Sequence, residues 1–120
     1  MRHDTAWTYI LANGREGMLY AGATPDLVRR IWMHREGIAS HFTRRHKVTR
    51  LVWYEAHPGL AEATHRREQI RYRRRQWKLD LVSGANPEWM DLFDLLTIMR
   101  AVPRLRPGEA PEPGGPGSTG

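Results

Sequence analysis

The apolar positions of this chain fall in short runs punctuated by glycine, proline and charge, and the spacing within each run predicts an element. Trp7-Thr8-Tyr9-Ile10-Leu11-Ala12 and Met18-Leu19-Tyr20-Ala21-Gly22-Ala23 are strand-like in residue type. The intervening Asn13-Gly14-Arg15-Glu16-Gly17 carries turn chemistry, so the two runs predict a hairpin. A helical period follows. Thr24 reads as an N-cap, Pro25 as the first helical residue and Asp26 as an anion beside the positive helix end. Beyond them Leu27 pairs with Ile31 and Val28 with Trp32 at i,i+4, while Arg30 and His34 share another, polar face.

Gly37-Ile38-Ala39-Ser40 ends that helix and opens a basic connection through His41, Arg44, Arg45, His46 and Lys47. Val48 to Ala56 has a continuous apolar middle, which predicts a buried and central third strand. After Pro58-Gly59, the residues from Leu60 to about Trp77 are helix formers with a thin apolar stripe of Leu60, Ala63, Ile70 and Trp77. Leu79 to Val82 and Trp89 to Met99 are further apolar helical pieces, with Asn86 as a cap and Pro87 in the first turn. The order is β-β-α-β-α-α in an α/β domain spanning residues 1–102. Residues 103–120, rich in proline and glycine, read as a disordered tail.

The hairpin register obeys a parity rule. Opposed residues project to the same face and their numbers add to a constant. Tyr9 and Tyr20 share a face only if that sum is odd, which requires an even-numbered loop such as Asn13 to Glu16 or Gly14 to Gly17.

Composition narrows the partners. A chain of 120 residues supports one modest core. A formal charge of +6 and a pI near 10.5 favour an anionic partner, nucleic acid ahead of an acidic protein or a membrane surface. The absence of cysteine excludes disulfides, thiolate zinc sites and cysteine catalysis. His41, His46, His57 and His65 lack a tight ligand spacing, so no histidine zinc site is expected. Without a secretory leader or an apolar stretch of about 20 residues, the expectation is a soluble cytoplasmic protein. Arg66, Arg67, Arg71, Arg73, Arg74, Arg75 and Lys78 make the second long helix the most basic segment.

Thr8-Tyr9-Ile10, Leu19-Tyr20-Ala21-Gly22, Arg30 with His34, Glu68 within Arg66-Arg67-Glu68-Gln69, and Asn86-Pro87-Glu88-Trp89 occur in this order. The set resembles the GIY-YIG endonuclease superfamily, in particular its small stand-alone bacterial members, over roughly residues 5 to 95. Trp7-Thr8 stands where the family name has Gly-Ile, and Ala21 where it has Ile; both tyrosines are kept. The resemblance implies a three-stranded central sheet flanked by helices and hydrolysis of phosphodiester bonds with Mg²⁺ or Mn²⁺. It implies Tyr9, Tyr20, Arg30, His34, Glu68 and Asn86 as catalytic residues, with Glu68 the metal ligand.

Each residue type suits such chemistry. A single carboxylate leaves a hard cation several waters and a phosphate oxygen as ligands. Arg30 is charged at every working pH and can neutralise phosphoryl oxygens. A tyrosine near pKa 10 serves as base only if its phenolate is stabilised; His34 is the alternative base, or a relay for the tyrosine proton. Ordinary roles compete: sheet tyrosines, an in-helix ion pair of Glu68 with Arg71, a capping role for Asn86. Arg44, Arg45, Lys47, Arg67, Arg71, Arg74 and Arg75 are the candidates for contacting a DNA backbone. Exposed Trp or Tyr would add stacking on single-stranded or frayed DNA. The expectation is a metal-dependent DNA endonuclease of structure-selective or weakly sequence-selective kind, acting as a monomer or weak homodimer in repair or recombination. The alternative is a non-catalytic nucleic-acid-binding module on the same fold.

Overall fold

A computed structural model describes residues 5–100. The expected tail at 103–120 lies outside the described residues. Among the described residues, β1 (Ala6–Ala12), β2 (Leu19–Thr24) and β3 (Arg50–His57) form one antiparallel sheet in the order β2-β1-β3. The helices are α1 (Leu27–Arg35), α2 (His41–His46), α3 (Leu60–Arg71), α4 (Arg75–Ala85) and α5 (Phe93–Arg100). The α/β class is as expected, with additional helices α2 and α4. None of the described helices is long and apolar enough to cross a membrane.

The central strand is β1 and not β3, which corrects the reading of the apolar run. The β1–β3 ladder shifts between Ile10 and Leu11: Leu51 pairs with Leu11 and Trp53 with Ile10, leaving Val52 as an extra residue. A bulge breaks the in-out alternation. Leu51, Val52 and Trp53 are therefore all buried on a strand that lies at the sheet edge.

The hairpin sum is 31, since Tyr9 faces Gly22 and Leu11 faces Tyr20. The sum is odd, in the Gly14-to-Gly17 form: the Gly17 N–H donates to the Gly14 carbonyl at 3.0 Å and the Asn13 N–H to Met18 at 3.3 Å. Both tyrosines belong to the face that packs on α1 and α5, with Leu11, Leu27, Ile31, Val48 and Leu51 as its core. The opposite face carries Ile10 and Ala12 against Ile70, Val82 and Trp89 under α3 and α4. There the Thr8 hydroxyl donates to the Ala63 carbonyl at 2.8 Å, a contact made possible by the small side chain of Ala63.

Several boundaries move for physical reasons. Thr24 stays in the β2 ladder opposite Trp7, and the cap passes to Asp26, whose carboxylate accepts the Arg29 N–H at 3.2 Å. A carboxylate is the stronger acceptor at a positive helix end. Ser40 starts α2 inside the basic connection, and Lys47 ends it with φ 56°. The single helix expected from Leu60 to Trp77 breaks at Tyr72-Arg73-Arg74, which turns Trp77, Leu79, Leu81 and Val82 onto the core. Asn86 ends α4 instead of starting the next helix, and Asp91 accepts the Phe93 N–H at 3.0 Å to cap α5.

Candidate active site

Tyr9 and His34 form the buried centre of the site, each 1 % exposed. The Tyr9 ring crosses directly over its partner Gly22: a Cβ at that position would sit 2.3 Å from Cζ and the hydroxyl. Glycine is required there because the phenol fills the place of its side chain.

The hydrogen bonds run in one direction. The Thr43 hydroxyl donates to the Ser40 carbonyl at 3.2 Å, so its oxygen accepts the His34 Nδ1–H at 2.9 Å. That assigns the tautomer and leaves Nε2 to accept the Tyr9 hydroxyl at 2.9 Å. Burial, together with the charge of Arg30, pushes the His34 pKa down to about 4. Burial and then the neighbouring Tyr20 hold the Tyr9 phenol well above its ordinary value, against a lowering influence from the positive charges of Arg30 and Arg67. Near neutral pH the pair is therefore a phenol donating to a neutral imidazole.

Tyr20 is half-buried, its ring 6.5 Å from Tyr9 and 5.3 Å from His34. It stands at the mouth of a cleft of about 450 Å³ that wraps round the β2 edge. Phe42 forms one wall; Arg67, Arg71 and Lys78 from α3 and α4 form the other.

Four of the six residues expected in a site, Tyr9, Tyr20, Arg30 and His34, thus come together. Glu68 lies on α3, and its Oε2 is held by Arg67 at 2.8 Å and Arg71 at 3.7 Å. The link between this acid and the tyrosines is Arg67, which pairs with Glu68 and also acts electrostatically on Tyr9. Asn86 is not brought to the group. It is buried against β3, its amide nitrogen donating to Val52 at 3.0 Å and Met90 at 2.9 Å, its oxygen accepting the Met90 N–H.

No group of three or more His, Asp or Glu side chains that could hold a metal ion occurs among the described residues. What the donor set fits is a hard cation bound by one partly exposed carboxylate, Glu68, and otherwise by water and phosphate. Of the residues expected to contact DNA, Arg44, Arg45, Lys47, Arg71, Arg74 and Arg75 are exposed and Arg67 is half-buried. Arg75 is also structural, donating to the Gly17 carbonyl at 2.9 Å in the hairpin turn.

Two residues escaped the sequence reading. Thr43, which orients His34, left no signal, because a threonine in a basic stretch looks like any other. Phe42 did leave one: a lone aromatic between His41 and Arg44 has no apolar partner within its own helix.

The fold and this site define a nuclease-type α/β domain built round a tyrosine hairpin. The model of the GIY-YIG catalytic domain matches residues 5–85, and the chain belongs to that family. Membership implies nuclease activity and a DNA substrate, and nucleases of this family typically use a divalent metal. A UPF0213 protein of Staphylococcus saprophyticus is 32% identical over 80 residues, 67% of this chain and 96% of the relative. One from Clostridium perfringens is 34% identical over 78 residues, 65% of this chain and 83% of the relative. The solution NMR structure of a UPF0213 protein from Bacillus halodurans is 31% identical, covers 76% of this chain and 96% of its own, and superposes with a TM-score of 0.46. These names state no activity.

Proposed function

We propose that this protein is a metal-dependent endonuclease that hydrolyses DNA phosphodiester bonds, with structure-selective or weakly sequence-selective action, in cytoplasmic repair or recombination. The observation that carries this reading is the directed chain from Tyr9 through His34 to Thr43, set beside Arg30 and opening through Tyr20 onto a cationic cleft.

In this reading the Tyr9 oxygen takes a proton from the attacking water as its own proton passes to His34 Nε2; the new P–O bond forms as the bond to the bridging oxygen breaks, and that oxygen leaves as an alcohol after taking a proton from solvent. The raised Tyr9 pKa argues against a standing phenolate and for such a concerted relay. An arriving phosphate offsets the charge of Arg30, which otherwise disfavours the imidazolium. Arg30 then stabilises the non-bridging oxygens as charge accumulates on them. Glu68 would hold Mg²⁺ or Mn²⁺, which supplies further charge neutralisation at the phosphoryl group. In this reading Arg67 and Arg71, which pair with Glu68, exchange that carboxylate for DNA phosphates.

That same ion pairing favours a second reading, a DNA-binding module whose acid never takes a metal. The two separate on one experiment: branched, flapped, single-stranded and plasmid DNA incubated with Mg²⁺ or with chelator. Metal-dependent cutting by the wild type, reduced at least about a hundredfold in Arg30→Ala and Glu68→Ala, is expected of the nuclease. Binding with no cutting under any condition identifies the module.

A further inference from the structure

We infer that Phe42 is a stacking platform for one unpaired DNA base, placed so that the phosphate of that nucleotide meets Arg67, Arg71 and Lys78. The inference rests on the cleft being the DNA-binding site, and it adds the residue that selects the local structure of the substrate.

Phe42 is 38 % exposed although it is one of the chain's two phenylalanines. Its ring stacks on Tyr20 with centroids 6.2 Å apart and planes at 24°, and touches His46 at 4.8 Å. Tyr20, Phe42 and His46 thus make a short aromatic row that begins beside the buried Tyr9. Two members of the row, Tyr20 and Phe42, line the cleft together with the cations Arg67, Arg71 and Lys78 and the apolar Leu19, Ala21 and Ile10. A volume of about 450 Å³ lies within the roughly 300–1,000 Å³ typical of small-ligand sites. An aromatic wall facing a cationic wall matches the two ends of a nucleotide, a flat base and an anionic phosphate.

The platform is also held rigidly. The next residue, Thr43, is buried and bonded to both His34 and Ser40, so the backbone that carries Phe42 is tied to the proton relay. A base in a duplex is already stacked on its neighbours and presents no free face to such a wall. The geometry therefore selects a flap, gap, loop or single strand over an intact helix.

The alternative is that Phe42 merely shields Tyr20. An aliphatic residue would do that equally well, so Phe42→Leu separates the two. The test uses the full chain in chelator, with single-stranded oligonucleotides carrying 2-aminopurine at successive positions, followed by anisotropy and by base fluorescence. Wild type is expected to quench the base fluorescence strongly on binding. Phe42→Leu should lose that quench and bind single strands about tenfold more weakly, with blunt-duplex binding unchanged, and Phe42→Trp should restore both. Equal weakening on single strand and duplex, or a quench that survives in Phe42→Leu, overturns the platform. Should Phe42→Leu not fold, the wild-type scan still decides, because no quench at any position overturns it. Wild type that quenches the base fluorescence yet never cuts with Mg²⁺ removes the nuclease reading while supporting the platform.

Discussion

The two edges of the sheet have been treated in opposite ways. At the β3 edge the chain after α4 folds back and closes the strand: Asn86 donates to Val52, the Leu92 N–H to Leu51 at 2.8 Å, and Asp91 accepts the Leu51 N–H at 3.3 Å. Those contacts satisfy backbone groups that would otherwise invite pairing with another chain. At the β2 edge lies instead a cleft lined by Tyr20 and Phe42 and by Arg67, Arg71 and Lys78. Polar residues at the closed edge serve the fold. Those at the open edge have capacity left for a ligand.

The contrast can be broken at either edge. Tyr9→Phe keeps the ring over Gly22 but removes the proton donor to His34; cleavage per folded molecule is expected to fall by about 10²–10⁴, with stability lower by about 1–3 kcal/mol because the buried His34 Nε2 loses its partner. An unaltered rate in a purified, metal-supplied assay would remove the relay. Acidification acts next. His34 is buried neutral with a pKa lowered from 6.5 to about 4, so the unfolded chain binds a proton there that the folded chain resists. Stability at this residue is full above about pH 6.5 and is lost as pH falls towards 4; at about 1.4 kcal/mol per pH unit the loss is about 3 kcal/mol. Urea titrations of wild type and His34→Gln at pH 7 and pH 4.5 check this, the variant being expected to lack that component. The smallest effect belongs to the closed edge. Asn86→Ala should cost about 1–3 kcal/mol, from the carbonyls of Val52 and Met90 and the Met90 N–H left unpaired, while cutting per folded molecule is retained. If cutting fell with stability intact, Asn86 would belong to the chemistry after all.

How far the sequence could be read follows from how local each signal is. The parity rule needs only the loop length, and the observed odd sum meets the condition it sets for Tyr9 and Tyr20 to share a face. The i,i+4 spacing of Arg30 and His34 needs only the helix, and both reach the same tyrosine. Where a tertiary contact decided, the signal was missing. Nothing in Leu51-Val52-Trp53 distinguishes a bulged edge strand from a central one, and Tyr72-Arg73-Arg74 contains neither glycine nor proline to mark the break between α3 and α4. The role of Thr43 depends on a histidine nine residues earlier. Asn86 has the residue type and neighbours of an N-cap; its actual partners on β3 are 34 residues away.

The glycine beneath the phenol carries a consequence for how such chains are recognised. Position 22 is vacant because position 9 fills it, so the aromatic residue and the missing side chain are two halves of one fitted object. Anyone scoring a distant relative should count them as a single character, and a chain that keeps the tyrosine while gaining bulk at its glycine partner has already surrendered the ring's seat.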